Sequence, residues 1–93
     1  MNKAPFYFAN LGADVLRCAL AAESDNMTEY ESSHERARST LRRVERESRP
    51  EAYEEGLLLL RGLECARETS TLPAFRAHLN ELIEPIAVRL SST

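Results

Sequence analysis

Ninety-three residues carry 12 basic and 15 acidic side chains, a net charge of −3, and 43% apolar residues. That is enough for one small domain with a thin core. It gives no chain-wide attraction to nucleic acid or anionic lipid, and no apolar run reaches the ~20 residues of a membrane span.

The first helix is predicted over about 5–22. Pro5 suits a first turn, where no N–H is needed. Phe8, Leu11, Gly12, Val15, Cys18, Ala19 and Ala22 recur at helical spacing, and Leu16 and Leu20 widen that face. Asn10, Asp14, Arg17 and Ala21 mark the opposite side. Phe6 and Tyr7 fall off the main stripe and are candidates for an exposed aromatic contact. Lys3 followed by Phe6-Tyr7-Phe8 does not make a leader, because Asn10 and Asp14 interrupt the apolar core it needs. A cytoplasmic protein is expected. Cys18 and Cys65 lack metal-ligand spacing and read as reduced, apolar fillers.

Glu23-Ser24-Asp25-Asn26 is a turn, and a second helix follows over about 27–47. Asp25, Asn26, and Thr28 paired with Glu31 are all candidate caps. Met27, Tyr30, His34, Ala37, Leu41 and Val44 form a stripe about 100° wide. This helix therefore has one buried face and a broad solvated one.

Ser48-Arg49-Pro50 ends the second helix and opens a third over about 50–67. Its main face is Ala52, Tyr53, Gly56, Leu57, Leu59, Leu60, Leu63 and Ala66. Leu58, Gly62 and Cys65 lie almost opposite, with Glu54, Arg61 and Glu68 alongside. Four consecutive leucines cannot share one face at ~100° per residue, so Leu58 looks away from the core.

A fourth helix is predicted over about 72–90, capped by Ser70 or Thr71, with Pro73 in its first turn. Phe75, Leu79, Leu82, Ile83, Ile86 and Leu90 form its stripe. Pro85 removes the bond to the Glu81 carbonyl and is expected to kink the helix there. Residues 91–93 read as a frayed tail. Short connections favour antiparallel neighbours. The expected fold is all-α: one domain over 1–93, an antiparallel up-down four-helix bundle, with completion by dimerisation as the competing arrangement.

Motifs for chemistry are sparse. Glu31-Ser32-Ser33-His34 places a carboxylate and an imidazole at i, i+3, the element that di-iron bundles use twice. It occurs once in this chain. Arg38, Arg42, Arg46 and Arg49 give the end of the second helix a phosphate-binding character, diluted by interleaved Glu45 and Glu47. No phosphate loop, nucleophile elbow or zinc spacing is present in the sequence.

The expectation is a small non-catalytic protein-protein interaction or assembly module, with itself as partner in a homodimer, no cofactor and no membrane or nucleic-acid partner. Its interface candidates are Leu58, Gly62, Cys65, Phe6 and Tyr7. The alternatives are a metal-binding bundle using Glu31 and His34, and a nucleic-acid accessory protein using the Arg38–Arg49 cluster.

Overall fold

Prolines near helix starts and polar turns between helices divide the chain. The structure, a computed structural model, describes residues 2–91. Those residues form four helices: α1 Ala4–Glu23, α2 Met27–Arg46, α3 Pro50–Glu68 and α4 Leu72–Ser91. Each end lies within one residue of the boundary read from the sequence. Of the tail expected to fray, Ser91 is the last residue of α4, while Ser92 and Thr93 lie outside the described residues. α4 runs as one helix across Pro85.

The helix ends satisfy their backbone groups locally. Asn26 caps α2, its Oδ1 accepting the Glu29 N–H at 3.1 Å. Asn2 Oδ1 accepts the Ala4 N–H at 2.7 Å and does the same for α1. Asp25, Ser48 and Ser70 each follow a helix with left-handed φ of 56°, 58° and 59°. After α1, the Asn26 N–H donates to the Ala21 carbonyl at 2.9 Å and Asp25 N–H to Ala22 at 3.2 Å. After α3, Thr71 N–H reaches Ala66 at 2.8 Å and Ser70 N–H reaches Arg67 at 3.4 Å. These are Schellman bonds, made without the usual glycine.

Three-residue connections leave each helix antiparallel to its neighbour. Asn2, before α1, bonds the Glu47 carbonyl after α2. His34 in α2 meets Glu64 in α3, and Gly62 in α3 lies against Phe75 in α4. The end of α1 is tied to the start of α4 by Glu23 and Arg76. α1 touches the other three helices, whereas α2 and α4 stand at opposite corners without contact among the described residues. The diagonal between α1 and α3 is closed at Gly56, where a β-carbon would fall 2.8 Å from Leu11 and 2.5 Å from Leu41. The result is a flattened bundle, 39 × 23 × 15 Å. Its centre is Phe8, Leu11, Val15, Cys18, Val44, Leu63 and Leu90, all fully buried.

The main stripe of α1 (Phe8, Leu11, Gly12, Val15, Cys18 and Ala19) is buried as its spacing requires, but its two flanks are exchanged. Asp14 and Ala21, expected on the outer side, are buried, while Leu16 and Leu20 are 38% and 45% exposed. The cause is a polar contact with α2. Asp14 Oδ2 accepts the Thr40 hydroxyl at 3.3 Å, and Oδ1 takes an Arg17 guanidinium at 3.1 Å. A buried carboxylate with such partners is tolerated, whereas an unpaired one is costly. Met27 and Leu82, expected on apolar stripes, are likewise about half exposed.

Candidate functional site

A polar arrangement lies between α2 and α3. The two helices leave a cleft of 380 Å³ between them, lined by Leu41, Tyr53, Leu57 and Leu60. Arg38 and Arg42 from α2 and Arg61 from α3 also line it. His34, Arg38, Leu41 and Arg42 stand at helical spacing along one flank of α2, which explains their convergence. At one end His34 Nε2 lies 3.3 Å from Glu64 Oε1 and bridges the two helices. A second hollow of 430 Å³ continues past that bridge, between Tyr30 and His34 on α2 and Arg67 and Glu68 on α3.

Stacking orders the second hollow. The Arg67 guanidinium sits 4.4 Å above the Tyr30 ring centroid, and Tyr30 stacks on His34 at 5.7 Å. Burial pushes the Tyr30 hydroxyl above its ordinary pKa, against a hydrogen bond and charge from Arg67. Behind it, burial and the Asp14 charge push the Cys18 thiol up to about 11. Cys18 is therefore a neutral core thiol at neutral pH.

His34 pairs with Glu64 across the cleft, and Glu31 is exposed. No group of three His, Cys, Asp or Glu side chains gathers among the described residues. The arginine cluster also divides. Arg38 and Arg42 line the cleft, whereas Arg49 turns to Glu51 at 2.7 Å. Glu51 is held below the ordinary carboxylate range by its own backbone N–H and by Arg49. Arg46 lies outside the cleft lining.

The interface candidates fall into three environments. Leu58 is 57% exposed, in a shallow depression with Glu54 and Arg61. Cys65 is exposed too. Gly62 between them makes its close approach within the chain, its missing β-carbon position 3.1 Å from the Phe75 ring. Tyr7 packs against the core beneath Arg43, 5.9 Å from its ring centroid. Phe6, 63% exposed, meets Tyr7 edge-on at 5.6 Å.

One surface was not visible in the sequence. The outer side of α1 presents Phe6, Ala9, Ala13, Leu16 and Leu20, all exposed. None of the five is polar. Beside them a hollow of 260 Å³ runs between α1 and α4, lined by Gly12, Leu16, Arg76 and Ile83. The signal was present in part: helical spacing at 9, 13, 16 and 20 marks a second apolar line on α1.

No helix among the described residues is long and apolar enough to cross a membrane. The chain matches no family model, no curated protein and no solved structure. Function is therefore argued from these surfaces alone.

Proposed function

We propose that this protein is a non-catalytic assembly module that pairs with a second copy of itself through the outer face of α1. The observation that carries the reading is the uncharged strip Phe6, Ala9, Ala13, Leu16 and Leu20 on the exposed side of the helix. Surface helices of a free-standing bundle ordinarily turn charge outward.

The strip is self-complementary. A two-fold axis through Ala13 runs α1 antiparallel to its copy and places Ala13 opposite Ala13. Leu16 then faces the Ala9 of the other copy, and Leu20 faces its Phe6. Large side chains meet small ones near the centre, which lets the helices approach closely, and large ones meet at both ends. A contact built on one helix falls at the small end of the ~1,200–2,000 Å² typical of stable complexes. A micromolar dimer is expected rather than a nanomolar one.

Sedimentation equilibrium of the wild type and of Leu16→Glu and Leu20→Glu tests the reading. The wild type should dimerise and both variants should be monomeric, with unchanged helical circular dichroism. Ala13→Cys in a Cys65→Ser background should cross-link on mild oxidation, since Cys18 is buried. A wild-type monomer at several hundred micromolar would end the proposal. A dimer dissolved by Leu58→Glu and unaffected by Leu16→Glu would move the interface to α3.

A further inference from the structure

We propose that the α2–α3 cleft binds a small amphipathic anion: a carboxylate or phosphate head on a short apolar tail. This site is independent of the α1 face and lies on different helices.

Charge is the first observation. The lining presents three guanidiniums against one carboxylate, Glu64, in a chain whose net charge is −3. Glu64 is engaged by His34 at the far end. Among the described residues, no carboxylate pairs with Arg38 or Arg61, and the nearest acid to Arg42 is Glu35 at 4.0 Å. Three like charges from two helices line one opening, and two of them, Arg38 and Arg61, have no internal counter-ion among the described residues. An arriving anion relieves their mutual repulsion and gains charge-assisted, forked hydrogen bonds from them.

Apolar lining is the second observation. Leu41, Leu57 and Leu60 form a floor beside the arginines, and Tyr53 brings a hydroxyl that donates to no described residue. A bare phosphate would leave that floor wet. A ligand with a hydrocarbon tail covers it and gains affinity with each CH₂ it buries. The volume of 380 Å³ falls inside the ~300–1,000 Å³ range of small-molecule sites. A polynucleotide fits less well. Of the bases that follow Arg42, Arg43 lies over the Tyr7 ring, Arg46 is outside the cleft lining, and Arg49, beyond the end of α2, is bound to Glu51, so they do not extend the cleft as one track along a backbone.

The test is a ¹⁵N–¹H titration of the full chain with decanoate and with decyl phosphate. Acetate, inorganic phosphate and decyltrimethylammonium separate the contributions of head, tail and charge sign. Both decyl anions should shift amides around Leu41, Leu57 and Leu60, and the better of the two identifies the head group. The tail-less anions should bind at least about tenfold more weakly. Arg38→Gln and Arg61→Gln should each weaken binding about tenfold, the loss expected for one charge-assisted hydrogen bond, with unchanged thermal melting because both side chains are exposed. The proposal is overturned if neither decyl anion binds at millimolar concentration. It is equally overturned if the decyl cation binds as tightly, if the arginine variants bind normally, or if the shifts lie on the α1 strip.

Discussion

Replacing the three glycines by alanine one at a time should rank the tightness of the bundle at three points. All three are helical with negative φ, so alanine brings the same intrinsic gain of about 1 kcal/mol at each. What differs is what the new methyl meets. At Gly62 it lies 3.1 Å from one edge of the half-buried Phe75 ring, which relaxes by a few tenths of an ångström. Gly62→Ala should therefore stabilise, by roughly 0.5–1 kcal/mol, or about 2–8 °C in melting temperature. At Gly12 the methyl lies 2.6 Å from the terminal carbon of a half-buried Ile83. One rotamer change accommodates it and consumes most of the gain.

At Gly56 two side chains from two different helices converge, Leu41 at 2.5 Å and Leu11 at 2.8 Å, both buried. Carbon pairs are comfortable at about 3.5–4.0 Å, so each leucine must retreat by roughly an ångström into a filled core. Overpacking of that kind costs about 1–3 kcal/mol. Gly56→Ala should end between neutral and about 2 kcal/mol less stable, with a fall of up to about 15 °C. Urea and thermal unfolding followed at 222 nm measure all three. A Gly56→Ala protein that melts at or above Gly62→Ala would refute the close α1–α3 diagonal.

Four further outcomes are expected. Ser70→Gly and Ser48→Gly should each raise stability by several tenths of a kcal/mol, because φ near 58° costs a residue with a side chain about 1–2 kcal/mol and glycine little, less its extra chain entropy. An unchanged or lower midpoint would contradict the left-handed exits. A thiol reagent at pH 8 should titrate one cysteine in the native protein and two in denaturant, since Cys65 is exposed and Cys18 buried with its pKa near 11. Two fast thiols in the native state would refute that placement. Raising the Cys18 pKa also means that stability is full below the thiol's ordinary value of 9.0 and declines as pH rises toward about 11. Glu23 behaves with the opposite sign. Arg76 holds its carboxyl below the ordinary range through bonds of 2.7 and 3.1 Å. Its contribution is present above the ordinary carboxylate value and lost as pH falls through the lowered one. Glu23→Gln should flatten part of the acid limb of the stability curve. An identical acid limb in both proteins would show that the pair is idle.

Helix limits were legible because they are local. Pro50 opens α3 by its own ring geometry, and Asn26 caps α2 with its own side chain. Facing was legible along the main apolar stripe of a helix, α1 and α3 included, and less so at its flanks. α2 has a single stripe, and Tyr30, Ala37, Leu41 and Val44 are buried as its spacing requires. α1 is apolar on nearly every side, so periodicity places its main stripe but not which flank is covered. The deciding contact is Asp14 with Thr40, residues 26 apart on different helices, and no window along one helix contains it. The cleft was half legible for the same reason. Arg38 and Arg42 stand together in the sequence, but Arg61 joins them only once α3 packs beside α2.

The absence of contact between α2 and α4 among the described residues bears on how the chain folds. α1, which like α3 touches every other helix, is also the first of the four in the chain. It forms a hairpin with α2, and that hairpin holds the most local pairing in the fold. α3 then finds two helices waiting for it. α4 alone has no partner adjacent to it except α3, and it must reach back across the chain to α1, where Glu23 and Arg76 mark the closure. Until α4 arrives, Gly12 and the side of α1 facing Ile83 stay open. A full chain in which α1, α2 and α3 have packed before α4 docks would therefore be a three-helix intermediate with an exposed seam, the state in which one copy's α4 can complete another's bundle.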